Sequence, residues 1–276
     1  YEKALDYYDR SLKIYEELSN KQGIARSLIN IGIVHFNKGE YEKALDYYDR
    51  SLKIYEELGD KREMGYILHN IGRVLTNKSD YDKALDYYER SLAIQEELGD
   101  KHGKGHSLNS IGDVHKNKGE YNTALEYYVR SLAIQEELGD NFGISFSLNN
   151  IGNVHYSNRD YDKMFSHLQK AINIQKEIGA LELETVTLFA LVNKNLSQEY
   201  DDKEIHSLIK KTENIECELN LLLYELLENK SYLETAYSQV QEKASEMEKE
   251  LAHKFLSYPI AKQIVEEWEK VSKVTN

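Results

Sequence analysis

Asparagine recurs at positions 30, 70 and 150, spaced by 40 or 80 residues. Each amide carries both a donor and an acceptor, so a ladder of them can hold the backbone of an extended peptide or satisfy neighbouring helices. His102 and His106 stand at i and i+4 and can share a metal ion, but no third ligand lies near them in sequence. The chain has no H-E-x-x-H, no G-x-x-x-x-G-K-[ST] and no G-x-S-x-G. Cys217 has no evident base and reads as a packing residue. The EELGDK and EMEKEL runs read as solvated helix ends and faces, not as catalytic carboxylate pairs. These residues point to binding chemistry: no enzyme activity, no metal and no cofactor is expected.

Composition narrows the partners. Lys+Arg number 35 against 48 Asp+Glu, a formal net charge of −13 over 276 residues. A surface this acidic repels phosphate backbones, so the expected partner is a protein or peptide and not nucleic acid. No apolar run approaches the roughly 20 residues that cross a bilayer, and no signal peptide is visible, so no membrane association is expected. The single cysteine permits no intrachain disulfide and fits a reducing, cytoplasmic compartment. One proline and abundant Glu, Lys, Leu, Ala and Tyr suit long helices.

The elements that position the asparagines come from a repeat. YEKALDYYDRSLKIYEEL occupies 1–18 and returns unchanged at 41–58; related copies follow at 81–98 and 121–138, and a looser one at 161–178. Between them lie segments built on Ile31-Gly32, Ile71-Gly72, Ile111-Gly112 and Ile151-Gly152. Each 40-residue unit reads as two helices. Leu28, Ile31 and His35 form the stripe of the first; Ala44, Tyr48, Ser51, Leu52 and Tyr55 form that of the second. Gly39 supplies the turn between them, Gly59 a left-handed cap, and Asp60 the cap of the next helix with Glu63 completing a capping box. Gly32 and Ala44 let the paired helices approach closely. Gly32 alone costs roughly 1 kcal/mol against Ala within a helix, so its recurrence at 72, 112 and 152 marks packing that compensates.

L-x-x-I-G-x-x-H, from Leu28 to His35, followed by A-x-x-x-Y, from Ala44 to Tyr48, resembles the tetratricopeptide signature. It recurs through Leu68/Ile71/Gly72/Ala84/Tyr88 and Leu108/Ile111/Gly112/Ala124/Tyr128, and weakens where Met164 replaces the small Ala. The family's usual proline after the second helix is replaced by Glu56, Glu96 and Glu136. The period exceeds the usual 34 residues or so and is similar to the long arrays of kinesin light chains, Pins-type polarity scaffolds and bacterial signalling proteins. The resemblance implies an all-α, right-handed α-solenoid of stacked antiparallel helix pairs with longer helices and deeper groove walls.

By the same resemblance, the first helix of each repeat lines a concave peptide-binding surface. The matching positions are Arg26, Ile29, Asn30, Ile33 and Phe36; then Tyr66, His69, Asn70 and Arg73; then His106, Asn109, Asp113 and Lys116; then Phe146, Asn149, Asn150, Asn153 and Tyr156. Arg26, Arg73 and Lys116 suit acidic groups; Ile29, Ile33, Phe36 and Tyr156 suit apolar side chains. Co-chaperone members grip a terminal carboxylate with a Lys/Asn/Arg set. The first-lysine positions hold Ile29, His69, Asn109 and Asn149 here, so that clamp is not implied. His35, His115 and His155 fall at the family's aromatic core position and read as structural.

The expected organisation is a clear array over 1–180, whose first unit lacks its first helix, two degenerate helical repeats over 181–250, and a capping helix over 251–276. In the last segment Pro259 suits a first turn, and Ile260, Ile264, Trp268 and Val271 share a face that either caps the last repeat or docks another chain. The chain starts inside a repeat, which reads as a piece of a longer protein. The uncovered face of residues 1–18, with Leu5, Tyr8, Leu12 and Tyr15, and the C-terminal helix are routes to self-association. The leading expectation is a scaffolding module that binds an extended peptide or helix. The alternatives are a sensory array controlling an attached signalling enzyme and a self-assembling structural array.

Overall fold

The computed structural model describes residues 1–273, so residues 274–276 of the expected C-terminal cap lie outside the described residues. Every regular element among them is an α-helix, and the chain divides into two compact units, 1–114 and 115 onward. The first holds α1 (Glu2–Glu17), α2 (Lys21–Asn37), α3 (Tyr41–Leu58), α4 (Lys61–Asn77), α5 (Tyr81–Leu98) and most of α6 (Lys101–Lys118). The second continues with α7 (Tyr121–Leu138), α8 (Asn141–Ser157), α9 (Tyr161–Ile178), α10 (Leu183–Asn195), α11 (Asp202–Ile209) and α12 (Cys217–Leu227), then α13 (Lys230–Ser245), α14 (Lys249–Ser257) and α15 (Pro259–Lys273). None of these helices is long and apolar enough to cross a membrane.

Helices pack as consecutive pairs, α2 on α3, α4 on α5 and α8 on α9. The expected stripes form the contact: Leu28 and Ile31 on α2 and Ala44, Tyr48, Ser51, Leu52 and Tyr55 on α3 are buried. Gly32, Gly72 and Gly152 each make room for one large side chain. A Cβ on Gly32 would lie 2.7 Å from the Tyr48 ring, and one on Gly152 would lie 2.7 Å from Leu168. Close approach therefore offsets the helix-propensity cost of glycine.

The turns repeat as faithfully as the cores. Gly59, Gly99, Gly139 and Gly179 end the second helices in the left-handed conformation. Asp60 caps α4 by accepting from the Glu63 N–H. Gly39 and Gly119 turn the chain within repeats at φ +74° and +81°, but Ser79 and Arg159 take the same conformation at φ 59° and 57°. The turn is set by the helix pair, and the residue type follows only in two of four repeats.

In the first unit, ion pairs recur with the repeat. Lys21 reaches Glu57 at 2.7 Å and Lys61 reaches Glu97 at 2.5 Å; Lys38 reaches Glu2 at 3.1 Å and Lys78 pairs with Glu42. All are solvent-facing and individually worth little. In the second unit, α13 carries Leu233, Ala236, Val240 and Ala244 against α15, which presents Ile260, Ile264, Trp268 and Val271. Trp268 stacks on Tyr237 at 5.4 Å between ring centroids. The segment before α15 is itself helical, as α14, which the sequence pattern did not single out.

Candidate functional site

In the first unit, α4, the end of α5 and the start of α6 enclose a cavity of about 480 Å³. From α4 it is lined by Arg62, Glu63, Tyr66, His69, Asn70 and Arg73; from α5 by Ile94, Gln95 and Leu98; and from the next helix and its cap by Asp100, Gly103 and His106. Five of these, Tyr66, His69, Asn70, Arg73 and His106, are sequence-expected binding positions, and the structure brings them together.

Helical periodicity explains the grouping. Residues 62, 66, 69, 70 and 73 recur at i, i+4, i+7, i+8 and i+11, one face of α4. Gln95 enters from the last turn of α5 through a fixed chain of hydrogen bonds. The Ser91 hydroxyl donates to the Gly65 carbonyl at 2.7 Å, so its oxygen accepts from Gln95 Nε2 at 3.0 Å. On the facing side, Arg73 donates to Asn70 Oδ1 at 3.4 Å and lies 4.9 Å over the Phe36 ring. His69 is enclosed, sits 5.2 Å from the Tyr88 ring, and has Nδ1 3.3 Å from the Ser107 hydroxyl. Burial, with the charges of Arg73 and His106 adding, holds its pKa down to about 3, so its ring is neutral at physiological pH.

Other expected positions stand differently. Arg26 and Phe146 are exposed, and Asn30, Ile33, Phe36 and Asp113 are half-buried. Ile29, Asn109, Asn149, Asn150 and Asn153 are buried, as is Asn70 at the cavity wall. The physical reason is that first helices meet their neighbours within each unit, α4 touching α6 through His69 and Ser107, and α8 touching α10 through Asn153 and Glu184. The helix face nearest a groove is also the face nearest the neighbouring helix, and sequence spacing does not separate the two.

The second unit uses its expected positions internally. Lys116 donates to both carboxylate oxygens of Glu218 on α12, at 3.0 and 3.1 Å. Asn153 Nδ2 lies within bonding distance of Glu184 on α10, at 3.1 Å, and of Glu218, at 3.2 Å. The Tyr156 hydroxyl donates to Glu225 on α12. Burial pushes the carboxyls of Glu184 and Glu225 up and the Tyr156 phenol well up. In this unit the chain's own acidic side chains fill the role an acidic ligand would take.

His35, His115, His155 and Cys217 have structural surroundings. His35 bonds Glu40 at 2.7 Å and stacks on Tyr47 at 5.3 Å, and His115 repeats this with Glu120 and Tyr127. His155 is buried and stacks on His167 at 5.5 Å. Cys217 is half-buried, and burial pushes its thiol pKa up, away from the reactive thiolate.

Comparisons with known proteins agree with the helix-pair geometry. Two tetratricopeptide-repeat family models match, one over residues 1–57 and 63–137 and the other over 147–178. No curated protein matches. Among solved structures, BtubC (BKLC) from P. vanneervenii is similar at 19% identity and TM-score 0.63, over 76% of this chain and 88% of that one. The apo form of RapI is similar at 16% identity and TM-score 0.63, over 95% and 81%. A Rap protein complexed with competence and sporulation factor is similar at 14% identity and TM-score 0.60, over 98% and 85%. At these identities the likeness establishes the fold alone. With a 40-residue helix-pair unit, glycines 32, 72 and 152 set under Tyr48, Tyr88 and Leu168, and family matches spanning more than half its length, the chain belongs to the tetratricopeptide-repeat family.

Proposed function

We propose that this protein is a non-catalytic interaction module that binds an extended peptide on the first unit, across the face formed by α4 and the start of α6. The observation that carries this reading is the cavity itself. Tyr66, His69, Asn70, Arg73 and His106 line one space with an apolar wall from Ile94 and Leu98. A largely preformed concavity with a few convergent polar groups is the usual shape of a ligand site. The fold adds support, since a Rap protein of the same architecture has been solved with competence and sporulation factor. The second unit is a weaker candidate, because Glu218 and Glu225 already occupy its polar positions.

The test is selection of a random peptide library on the 276-residue protein, followed by affinity measurement on the native chain and on Arg73→Ala and Tyr66→Ala. Selected peptides should bind at micromolar strength, because ordering a flexible peptide costs several kcal/mol. Each substitution should weaken them about tenfold or more. Peptides that bind both variants as well as the native chain would move the site elsewhere.

A further inference from the structure

The polar side chains around the first-unit cavity are largely committed. Arg73 donates to Asn70 Oδ1 at 3.4 Å and lies 4.9 Å over the Phe36 ring. Asp100 Oδ1 accepts from the Gly103 N–H at 3.0 Å. Gln95 Nε2 donates to Ser91 at 3.0 Å. The remaining amide atoms, Asn70 Nδ2 and Gln95 Oε1, are buried and closed to the cavity. His69 is neutral at physiological pH, with Nδ1 3.3 Å from the Ser107 hydroxyl. These five side chains are engaged with the protein itself or turned out of a ligand's reach.

The cavity offers carbon instead. Ile94 and Leu98 stand one turn apart on α5, and Tyr66 joins them from α4. Tyr66 and Leu98 are 47% and 43% exposed, among the large apolar side chains that the fold leaves open to water. Exposed apolar surface gathered in a concavity with charged residues around it marks an interaction site. The ionised lining is balanced in sign, Arg62 and Arg73 against Glu63 and Asp100, so it recommends neither an anion nor a cation. The volume, about 480 Å³, falls within the roughly 300–1,000 Å³ of ligand pockets.

Extending the peptide-binding reading, on which it rests, we propose that this cavity is an anchor pocket for one large apolar side chain, leucine, methionine or phenylalanine, of the bound peptide. The side chain packs on Ile94, Leu98 and the Tyr66 ring. A carboxylate or an ammonium brought inside gives up its water for polar groups that are already engaged. A carboxamide meets the same loss, because the Asn70 and Gln95 atoms that could bond it are closed off. Alanine leaves much of the space empty and forfeits the contacts. Burying a side chain of leucine's size strengthens binding about ten- to a hundredfold over leaving it in water.

The experiment titrates the methyl-¹³C-labelled 276-residue protein with N-acetyl-L-leucine methylamide, its phenylalanine, alanine, glutamine, glutamate and lysine counterparts, and free L-leucine, following the methyl signals of Ile94 and Leu98. The leucine and phenylalanine compounds should shift these signals saturably and equally at low and high sodium chloride, since screening acts on charges. The other four blocked compounds should bind about tenfold or more weakly. Leu98→Ser should weaken the leucine compound about fivefold or more, read at Ile94. Leu58→Ser alters the corresponding residue one repeat earlier, 45% exposed and outside the cavity, and should leave binding unchanged. No saturable shift, equal binding of the glutamate, lysine or glutamine compound, or equal loss in both variants overturns the inference. Tighter binding of free leucine than of its blocked form assigns the pocket to a free amino acid and overturns the peptide assignment. If the blocked compounds fail while library peptides still require Tyr66, peptide binding stands and the apolar anchor pocket falls; if the library also yields nothing, both fall.

Discussion

Gly72 and Tyr88 are in direct contact across the α4–α5 pair: a Cβ added at Gly72 would stand 2.6 Å from the tyrosine ring. Tyr88 is buried, and its hydroxyl lies 3.2 Å from that of Thr76, so the ring has a second anchor beyond packing. Alanine at this helical position would gain about 1 kcal/mol of propensity in isolation. Overpacking a close-fitted core costs about 1–3 kcal/mol. Gly72→Ala should therefore lower the urea midpoint of unfolding, and an unchanged or raised midpoint would contradict the packing account.

Ser79 holds the left-handed turn that Gly39 and Gly119 hold in other repeats, and its buried hydroxyl has no partner. A non-glycine residue in that conformation costs about 1 kcal/mol or slightly more. Ser79→Gly should raise stability by about that amount, read as an upward shift in thermal midpoint.

His69 introduces a pH dependence. The unfolded imidazole takes a proton near its ordinary 6.5, while the folded one resists until about 3. The unfolded state therefore binds more protons throughout that window, and folded stability falls as pH drops from 6.5 toward 3. His69→Ile places at 69 the residue that the chain carries at 29. Urea midpoints measured at pH 7.5 and 5 should differ less in this variant than in the native chain.

Glu225 acts in the opposite sense. Burial raises its pKa despite the bond from Tyr156, so the folded state holds the proton more tightly than the unfolded one. Stability is lost as pH rises from the ordinary carboxyl value of 4.5 through the raised one. Glu225→Gln keeps an acceptor for Tyr156 and removes the buried charge. It should raise the thermal midpoint at pH 8 and leave it nearly unchanged at pH 4.

Much of the fold was legible because a 40-residue repeat exposes its own grammar. Buried positions such as Ala44, Tyr48 and Ser51 differ from variable ones within a single chain. The left-handed caps at Gly59 and Gly179 follow from glycine placement. The candidate site was legible in part. The period gave the α4 face, with Tyr66, His69, Asn70 and Arg73, but Gln95 went unrecognised because it lies on the second helix, in a stripe that otherwise reads as core. Its only signal was the change from IYEEL to IQEEL, which has meaning once Tyr55 is seen to fill its space. Asparagine spacing likewise could not distinguish the groove side of α8 from the side facing its neighbours. The reach of Glu218 and Glu225 to Lys116 and Tyr156 joins residues too distant in sequence for any local pattern to reveal.

The recurring ion pairs of the first unit carry a consequence for how such a chain can change length. Lys21–Glu57 and Lys61–Glu97 join residues 36 apart, as do Lys38–Glu2 and Lys78–Glu42. Excising residues 41–80 would bring Lys21 to Glu97 and leave Lys38 with Glu2, with the tyrosine–glycine fit and the glycine caps likewise in phase. Insertion or loss of one whole repeat by unequal recombination is thus a structurally silent event for everything except the ligand surface. The array behaves as a tape whose scaffold tolerates splicing at any multiple of its period, while variable positions such as Tyr66 and Arg73 mark particular frames on it.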